Sequence, residues 1–112
     1  YLVTGSPGGR TIINTTLQMV LNVIEFEMDL PEAMATPRIH HQWLPDRLTL
    51  ETFDKDISEA TIAELKKIGH QLSPRARSYQ GDAHSIRIHA TAAGIQLEGV
   101  ADWRRNGSAK GL

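Results

Sequence analysis

The residues best placed to do chemistry stand at the start of the chain, where Gly5-Ser6-Pro7-Gly8-Gly9 separates a short apolar run from a long apolar helix. Tyr1-Leu2-Val3-Thr4 has the β-branched and aromatic character of a strand end. The loop must turn, because its three glycines permit backbone angles that other residues avoid and Pro7 fixes one more. The first turn of a helix carries unpaired N–H groups and a partial positive charge. Gly8 and Gly9 have no Cβ to block approach, so their N–H groups can point at a ligand oxygen. Such a strand–glycine loop–helix unit can hold a phosphate or the oxyanion of an acyl-transfer intermediate. The plainer alternative is that the glycines only make a tight turn.

Other constellations are weaker. His40 and His41 are adjacent, so an extended backbone points them apart; with no His-x3-His spacing on a helix, no metal site is expected. Asp82, His84 and Ser85 have the composition of a triad. On a strand, however, Asp82 and His84 face one way and Ser85 the other, so hydrogen bonding within the loop and strand is the expected use. The first loop lacks the P-loop lysine and is not G-x-G-x-x-G, which argues against a nucleotide site. The pairs Arg75/Arg77 and Arg104/Arg105 read as solvated or paired to nearby carboxylates. There is no cysteine, hence no disulfide framework, thiolate nucleophile or cysteine-based zinc site. No cofactor is implied.

The elements that must position the loop can be read in order. From Arg10 to Glu27, Ile12, Ile13, Leu17, Met19, Val20, Leu21, Val23, Ile24 and Phe26 cover more than half of a helix circumference at about 100° per residue. Only Thr11, Asn14, Thr15, Gln18, Asn22 and Glu25 form a polar stripe. This predicts a mostly buried helix with its N-terminus inside the molecule. A short helix over 28–35 follows, with Asp29 as N-cap and Pro31 in the first turn; Pro37 ends it. Residues 48–52 alternate as a strand. A helix capped by Ser58 and stapled by Ile57 and Ile62 presents Ile62, Leu65 and Ile68 inward, and stops at Gly69. Residues 70–73 suggest a short strand and 74–82 a loop. Residues 84–90 and 95–100 form a hairpin around Thr91-Ala92-Ala93-Gly94, and the tail from Ala101 has no periodicity. The pattern is α+β.

At 112 residues the chain holds one domain at most, with one modest core. Twelve basic and thirteen acidic residues leave a formal charge of −1, so no global field recruits nucleic acid or an acidic membrane. No apolar run approaches a membrane span, and there is no signal-peptide pattern. Tyr1 opens in mid-strand without a starting Met, which reads as part of a longer chain.

Leu2-Val3-Thr4-Gly5-Ser6-Pro7-Gly8-Gly9-Arg10, followed by Ile12-Ile13 and Leu17-Gln18, resembles the γ-glutamyltransferase (γ-glutamyltranspeptidase) family. So do Ala35-Thr36-Pro37-Arg38-Ile39-His40-His41-Gln42-Trp43-Leu44-Pro45-Asp46, Gly81-Asp82-Ala83-His84-Ser85-Ile86 and the tail Ala101-Asp102-Trp103-Arg104-Arg105-Asn106-Gly107. The likeness covers essentially the whole chain. Trp103 departs from it where proline is expected, as does Gly111-Leu112 where an aromatic is common.

The resemblance implies an N-terminal-nucleophile hydrolase with an αββα sandwich, made as a precursor that cuts itself. The freed N-terminal Thr attacks a γ-glutamyl amide such as that of glutathione, and water or an amine of an amino acid or peptide takes the acyl group. By motif position Gly8 and Gly9 supply the oxyanion hole. Residues 1–112 would then be the C-terminal portion of the small subunit. The Thr nucleophile and the groups that clamp the substrate would lie upstream, so this piece by itself would be inactive. Its partners would be the large subunit and the remainder of the small subunit, in a periplasmic or secreted enzyme. Two alternatives stand beside this reading: a non-catalytic module whose glycine loop holds a phosphate, and a family acylase acting on another substrate, such as a cephalosporin side chain.

Overall fold

The computed structural model describes residues 1–52, 57–73 and 79–111. A three-stranded antiparallel sheet has the order β1-β4-β5, with β1 Leu2–Gly5, β4 His84–Thr91 and β5 Gly94–Ala101. β4 and β5 form the expected hairpin, registered from His84↔Ala101 to Thr91↔Gly94. Gly94 sits at φ 123°, a conformation that suits glycine, and its carbonyl accepts the Thr91 hydroxyl at 2.9 Å. β1 joins the far edge of β4, pairing Leu2 with Arg87 and Gly5 with His84. The start of the chain is thus laid beside Asp82 and its neighbours.

A 3₁₀ turn, Gly9–Thr11, leads into α1, Ile12–Ile24, which packs on this sheet; the short α2, Leu30–Ala35, packs on α1. Met19, Val23, Leu30, Ala33, Met34 and Ala83 form the core between them. Asp29 caps α2 as expected, accepting the Glu32 N–H at 2.7 Å. A second small core joins the two-stranded sheet β2 Ile39–His40 and β3 Thr49–Leu50 to α3, Glu59–Lys67, through Leu48, Leu50 and Ile62. Ser58 caps α3 by accepting the Thr61 N–H at 3.1 Å, and Gly69 takes the left-handed stop at φ 102°. The strand expected over 70–73 reduces to one parallel bridge, Leu48↔Leu72. Of the loop expected over 74–82, residues 74–78, with Arg75 and Arg77, lie outside the described residues.

Three expectations need correction. α1 is not mostly buried: within this chain only Thr15, Met19 and Val23 are, whereas Ile13 is 76% exposed and Ile24 66%. Nor is its N-terminus interior, since Pro7 to Arg10 lie at the surface. The reason is that α1 meets this chain with its polar stripe and with Met19 and Val23, which leaves its other apolar residues facing outward. Gln18 bonds both the N–H and the C=O of Ile39 at 2.8 Å, Asn22 donates to the Ala33 carbonyl, and Asn14 donates to that of His41. Finally, Ile68 is exposed instead of lying on the inner face of α3, because the helix has already ended at Lys67.

Candidate active-site loop

The loop between β1 and α1 is shaped by glycines and fixed by two hydroxyls. Gly8 has φ 146° and Gly9 φ 56°, both in the region that disfavours a Cβ. A Cβ on Gly8 would come within 2.5 Å of Thr11 Oγ1 and 3.3 Å of Gly81 Cα. A Cβ on Gly9 would meet nothing within 4 Å, so this glycine borders open space. The Ser6 hydroxyl donates to the Pro7 carbonyl at 2.7 Å and accepts the Asp82 N–H at 2.9 Å. The Gly8 carbonyl accepts both the backbone N–H of Thr11 at 3.1 Å and its hydroxyl at 3.0 Å. Among the described residues no hydrogen bond takes up the N–H of Gly8 or of Gly9.

Behind the loop, residues 80–83 are held by a buried ionic cluster. Arg104 grips Glu51 with two bonds, Nε to Oε1 at 2.9 Å and Nη2 to Oε2 at 2.6 Å, and donates to the carbonyls of Met34 and Thr36. Arg38 pairs with Asp102 at 2.6 Å and donates to the Gln80 carbonyl. The carboxylates are filled out by backbone: Glu51 accepts from the N–H of Gln80 and Arg38, and Asp102 from those of Ala83 and Arg104. All four side chains are at most 3% exposed. Burial by itself would raise the Asp102 carboxyl. The N–H groups of Arg104 and Ala83 and the Arg38 guanidinium outweigh it and hold the group below its ordinary range. Burial, with Arg104 nearby, lowers Arg38. Burial would lower Arg104 too, but its bonds to Glu51 prevail and raise it.

Of the residues singled out by sequence, Gly8 and Gly9 stand together at the surface. Asp82 and His84 approach to 3.6 Å, while Ser85 is buried and bonded to the Thr4 hydroxyl at 2.8 Å. The three form no base–nucleophile line, as the strand geometry required. His40 faces Gln42, and His41 faces Asp46 at 3.1 Å. No group of three potential metal ligands occurs among the described residues. Arg104 is paired to carboxylates but buried, not solvated, in a tail that contains a 3₁₀ turn over Trp103–Arg105. Trp103 occupies the first position of that turn, a place that suits proline as well, but its ring also lies 4.9 Å from the Arg104 guanidinium and edge-on to Tyr79 at 5.9 Å. The sequence reading missed the cluster itself. Its one local trace is Asp102, an N-cap residue just ahead of a turn.

The fold and loop define a class: an α+β scaffold that presents two uncommitted backbone N–H groups between a strand and a helix. The profile of the gamma-glutamyltranspeptidase family matches residues 1–112. The chain is 43% identical over 104 residues to the glutathione hydrolase proenzyme of Escherichia coli K12, a match covering 93% of this chain and 17% of that protein. It superimposes on a T380A mutant of Helicobacter pylori gamma-glutamyltranspeptidase with TM-score 0.86 and 38% identity, over 94% of this chain and 54% of that one. The Bacillus anthracis transpeptidase CapD shares the fold with TM-score 0.79 at 19% identity, over 99% of this chain and 63% of that one. The chain belongs to the γ-glutamyltranspeptidase family. It spans less than a fifth of the length of the Escherichia coli relative and about half of the Helicobacter pylori chain.

Proposed function

We propose that the full-length protein containing these residues is a γ-glutamyl acyl-transfer enzyme, and that this chain supplies its oxyanion hole. A Thr nucleophile from outside residues 1–112 attacks the γ-carbonyl of a glutathione-like amide. As the carbonyl carbon becomes tetrahedral, its oxygen gains negative charge, and the N–H groups of Gly8 and Gly9 receive it. The amine leaves, and water or an amino acid or peptide amine takes the acyl group from the threonine. The observation that carries this reading is the pair of uncommitted N–H groups on the Gly8–Gly9 loop, in a chain matched along its whole length by the family profile.

Exposed apolar surface supports a reading of the partners. The outer flank of α1 (Ile13, Leu17, Ile24) and the face of the sheet bearing Val3, Ile86 and Leu97 are exposed. We assign them to contacts with the rest of the small subunit and with the large subunit. That would complete an αββα sandwich in which β1-β4-β5 belongs to one central sheet. Residues 1–112 by themselves are expected to turn over no γ-glutamyl anilide.

Gly9→Ala in the full-length enzyme is the sharper test, because its Cβ enters open space whereas that of Gly8→Ala strikes Thr11 and Gly81. The alanine keeps its N–H, but its Cβ takes up the open space in front of the loop that the oxyanion would need, and the expected loss is up to about 10²–10³ in kcat with little change in KM. If the loop is only a turn, the cost appears as stability, about 1 kcal/mol for a left-handed alanine. A wild-type kcat per folded molecule with a lowered Tm would refute the oxyanion assignment.

A further inference from the structure

Glycine on both sides of a peptide bond makes the donor geometry of this loop insecure. The Gly8–Gly9 peptide can rotate as a unit at little steric cost, and the Pro7–Gly8 peptide has Gly8 on one side. Since a trans peptide holds its C=O and N–H antiparallel, either rotation replaces a donor with a carbonyl oxygen that would repel an oxyanion. Preorganised donors stabilise a transition state because they need no reorientation. Something must hold both planes.

We infer that Ser6 and Thr11 are positioning residues that lock these two peptide planes, an assignment that rests on the oxyanion reading above. Ser6 accepts the Asp82 N–H, which fixes the hydroxyl and commits its proton to the Pro7 carbonyl at 2.7 Å. With that carbonyl pinned, the N–H of Gly8 points the opposite way. Thr11 puts two donors on the Gly8 carbonyl, and its branched Cβ restricts the rotamer; the N–H of Gly9 is fixed in turn. Each hydroxyl thus acts on the reaction only through a backbone group. Ser6 is itself held by the N–H of Asp82, whose neighbours Gln80 and Ala83 are tied to Glu51 and Asp102. The lock therefore has a rigid backing.

The test is made in the full-length enzyme with a γ-glutamyl anilide, measuring kcat, KM and Tm for Thr11→Val, Thr11→Ser, Ser6→Ala and Gly9→Ala. Thr11→Val preserves shape and leaves the backbone bond in place while removing the hydroxyl. The expected result is a fall in kcat of about 10–10²-fold for Thr11→Val and for Ser6→Ala, below the ~10²–10³ of a lost donor. KM should stay within about twofold, because ground-state binding does not use the hole. Thr11→Ser should recover most of the rate. If Gly9→Ala is impaired while Thr11→Val and Ser6→Ala keep wild-type kcat, the hole stands and the lock is overturned. If Gly9→Ala itself keeps wild-type kcat, the hole falls and takes the lock with it. A lowered Tm at normal kcat, inactivity that Thr11→Ser does not relieve, or failure of both hydroxyl variants to fold makes these residues structural and overturns the proposal.

Discussion

On the side of α1 that meets the rest of this chain, Asn14, Thr15, Gln18 and Asn22 stand beside the core residues Met19 and Val23, while Ile13, Leu17 and Ile24 look outward. At the ionic cluster, by contrast, two arginines and two carboxylates are enclosed and every one is bonded. The two regions differ in what each can find within the chain. Charges go inside where each has partners at bonding distance. Beside Met19 and Val23, the inner face of α1 carries polar residues because the segment beneath it has backbone groups that need partners, such as the N–H and C=O of Ile39. The outer flank of the helix finds no apolar cover among the described residues. Hydropathy therefore says how badly a face needs covering, but not which part of the protein covers it.

The largest expected effect comes from opening the closed region. Glu51→Ala removes the carboxylate that Arg104 grips with two bonds and leaves its buried guanidinium with the longer 3.3 Å pair to Asp102 and two backbone carbonyls. Breaking a buried pair in this way costs about 3–5 kcal/mol, to be read by urea unfolding of the full-length protein. A cost below about 1 kcal/mol would mean that water reaches Arg104, contrary to its burial here.

The contrast is sharpened next by Met19→Ala and Leu17→Ala, again in the full-length protein. Met19 is 1% exposed and should cost about 2–5 kcal/mol. Leu17 is 52% exposed within this chain, so a bare surface position should stay within about 0.5 kcal/mol. If the outer flank of α1 is an interface, as proposed, Leu17→Ala should cost as much as Met19→Ala. Near-neutral Leu17→Ala would leave the flank without its assigned partner.

A distinctive effect, read from the shape of the pH profile, is the acid dependence that Asp102 confers. Its folded pKa lies below the ordinary 3.8, so the folded state favours the carboxylate more than the unfolded state does. The stabilisation is therefore fully present above about pH 4 and is lost as pH falls through the lowered folded value. Asp102→Asn should flatten that limb of the stability profile. An unchanged limb would place the acid sensitivity elsewhere.

What could be read beforehand follows from the range of each interaction. The caps at Asp29 and Ser58, the stop at Gly69 and the β4–β5 hairpin are short-range, and residue type was enough to locate them. The glycine loop was legible for the same reason: Gly8 and Gly9 are required by their own backbone angles. The cluster was not, because Glu51 and Arg104 are 53 positions apart, and nothing in either neighbourhood distinguishes a buried charge from a solvated one. The orientation of α1 was misjudged because periodicity identifies two faces without saying which one meets this chain. Ser6 and Thr11 were in plain view, but only the fold reveals which carbonyls their hydroxyls hold.

The finest test of the comparison is at Gln18, where a polar side chain stands in for a strand partner. Its amide oxygen accepts the Ile39 N–H at 2.8 Å, and its amide nitrogen donates to the carbonyls of Ile39 and Asn14. Gln18→Leu removes all three bonds, but Ile39 is partly exposed and water can replace some of them; the cost should be about 1 kcal/mol. Gln18→Glu is more discriminating. It keeps the acceptor for the Ile39 N–H but sets an ionised oxygen against two carbonyl oxygens, so at neutral pH it should be less stable than Gln18→Leu. Protonating the new carboxyl restores one donor, and the two carbonyls raise its folded pKa, so the deficit should shrink as pH falls from that raised value towards the ordinary glutamate value of about 4.3. Stability curves of the two variants should therefore converge or cross in mild acid. Parallel curves would mean that Gln18 merely lies over Ile39, and that the polar stripe of α1 does not supply the bonds by which this helix holds β2.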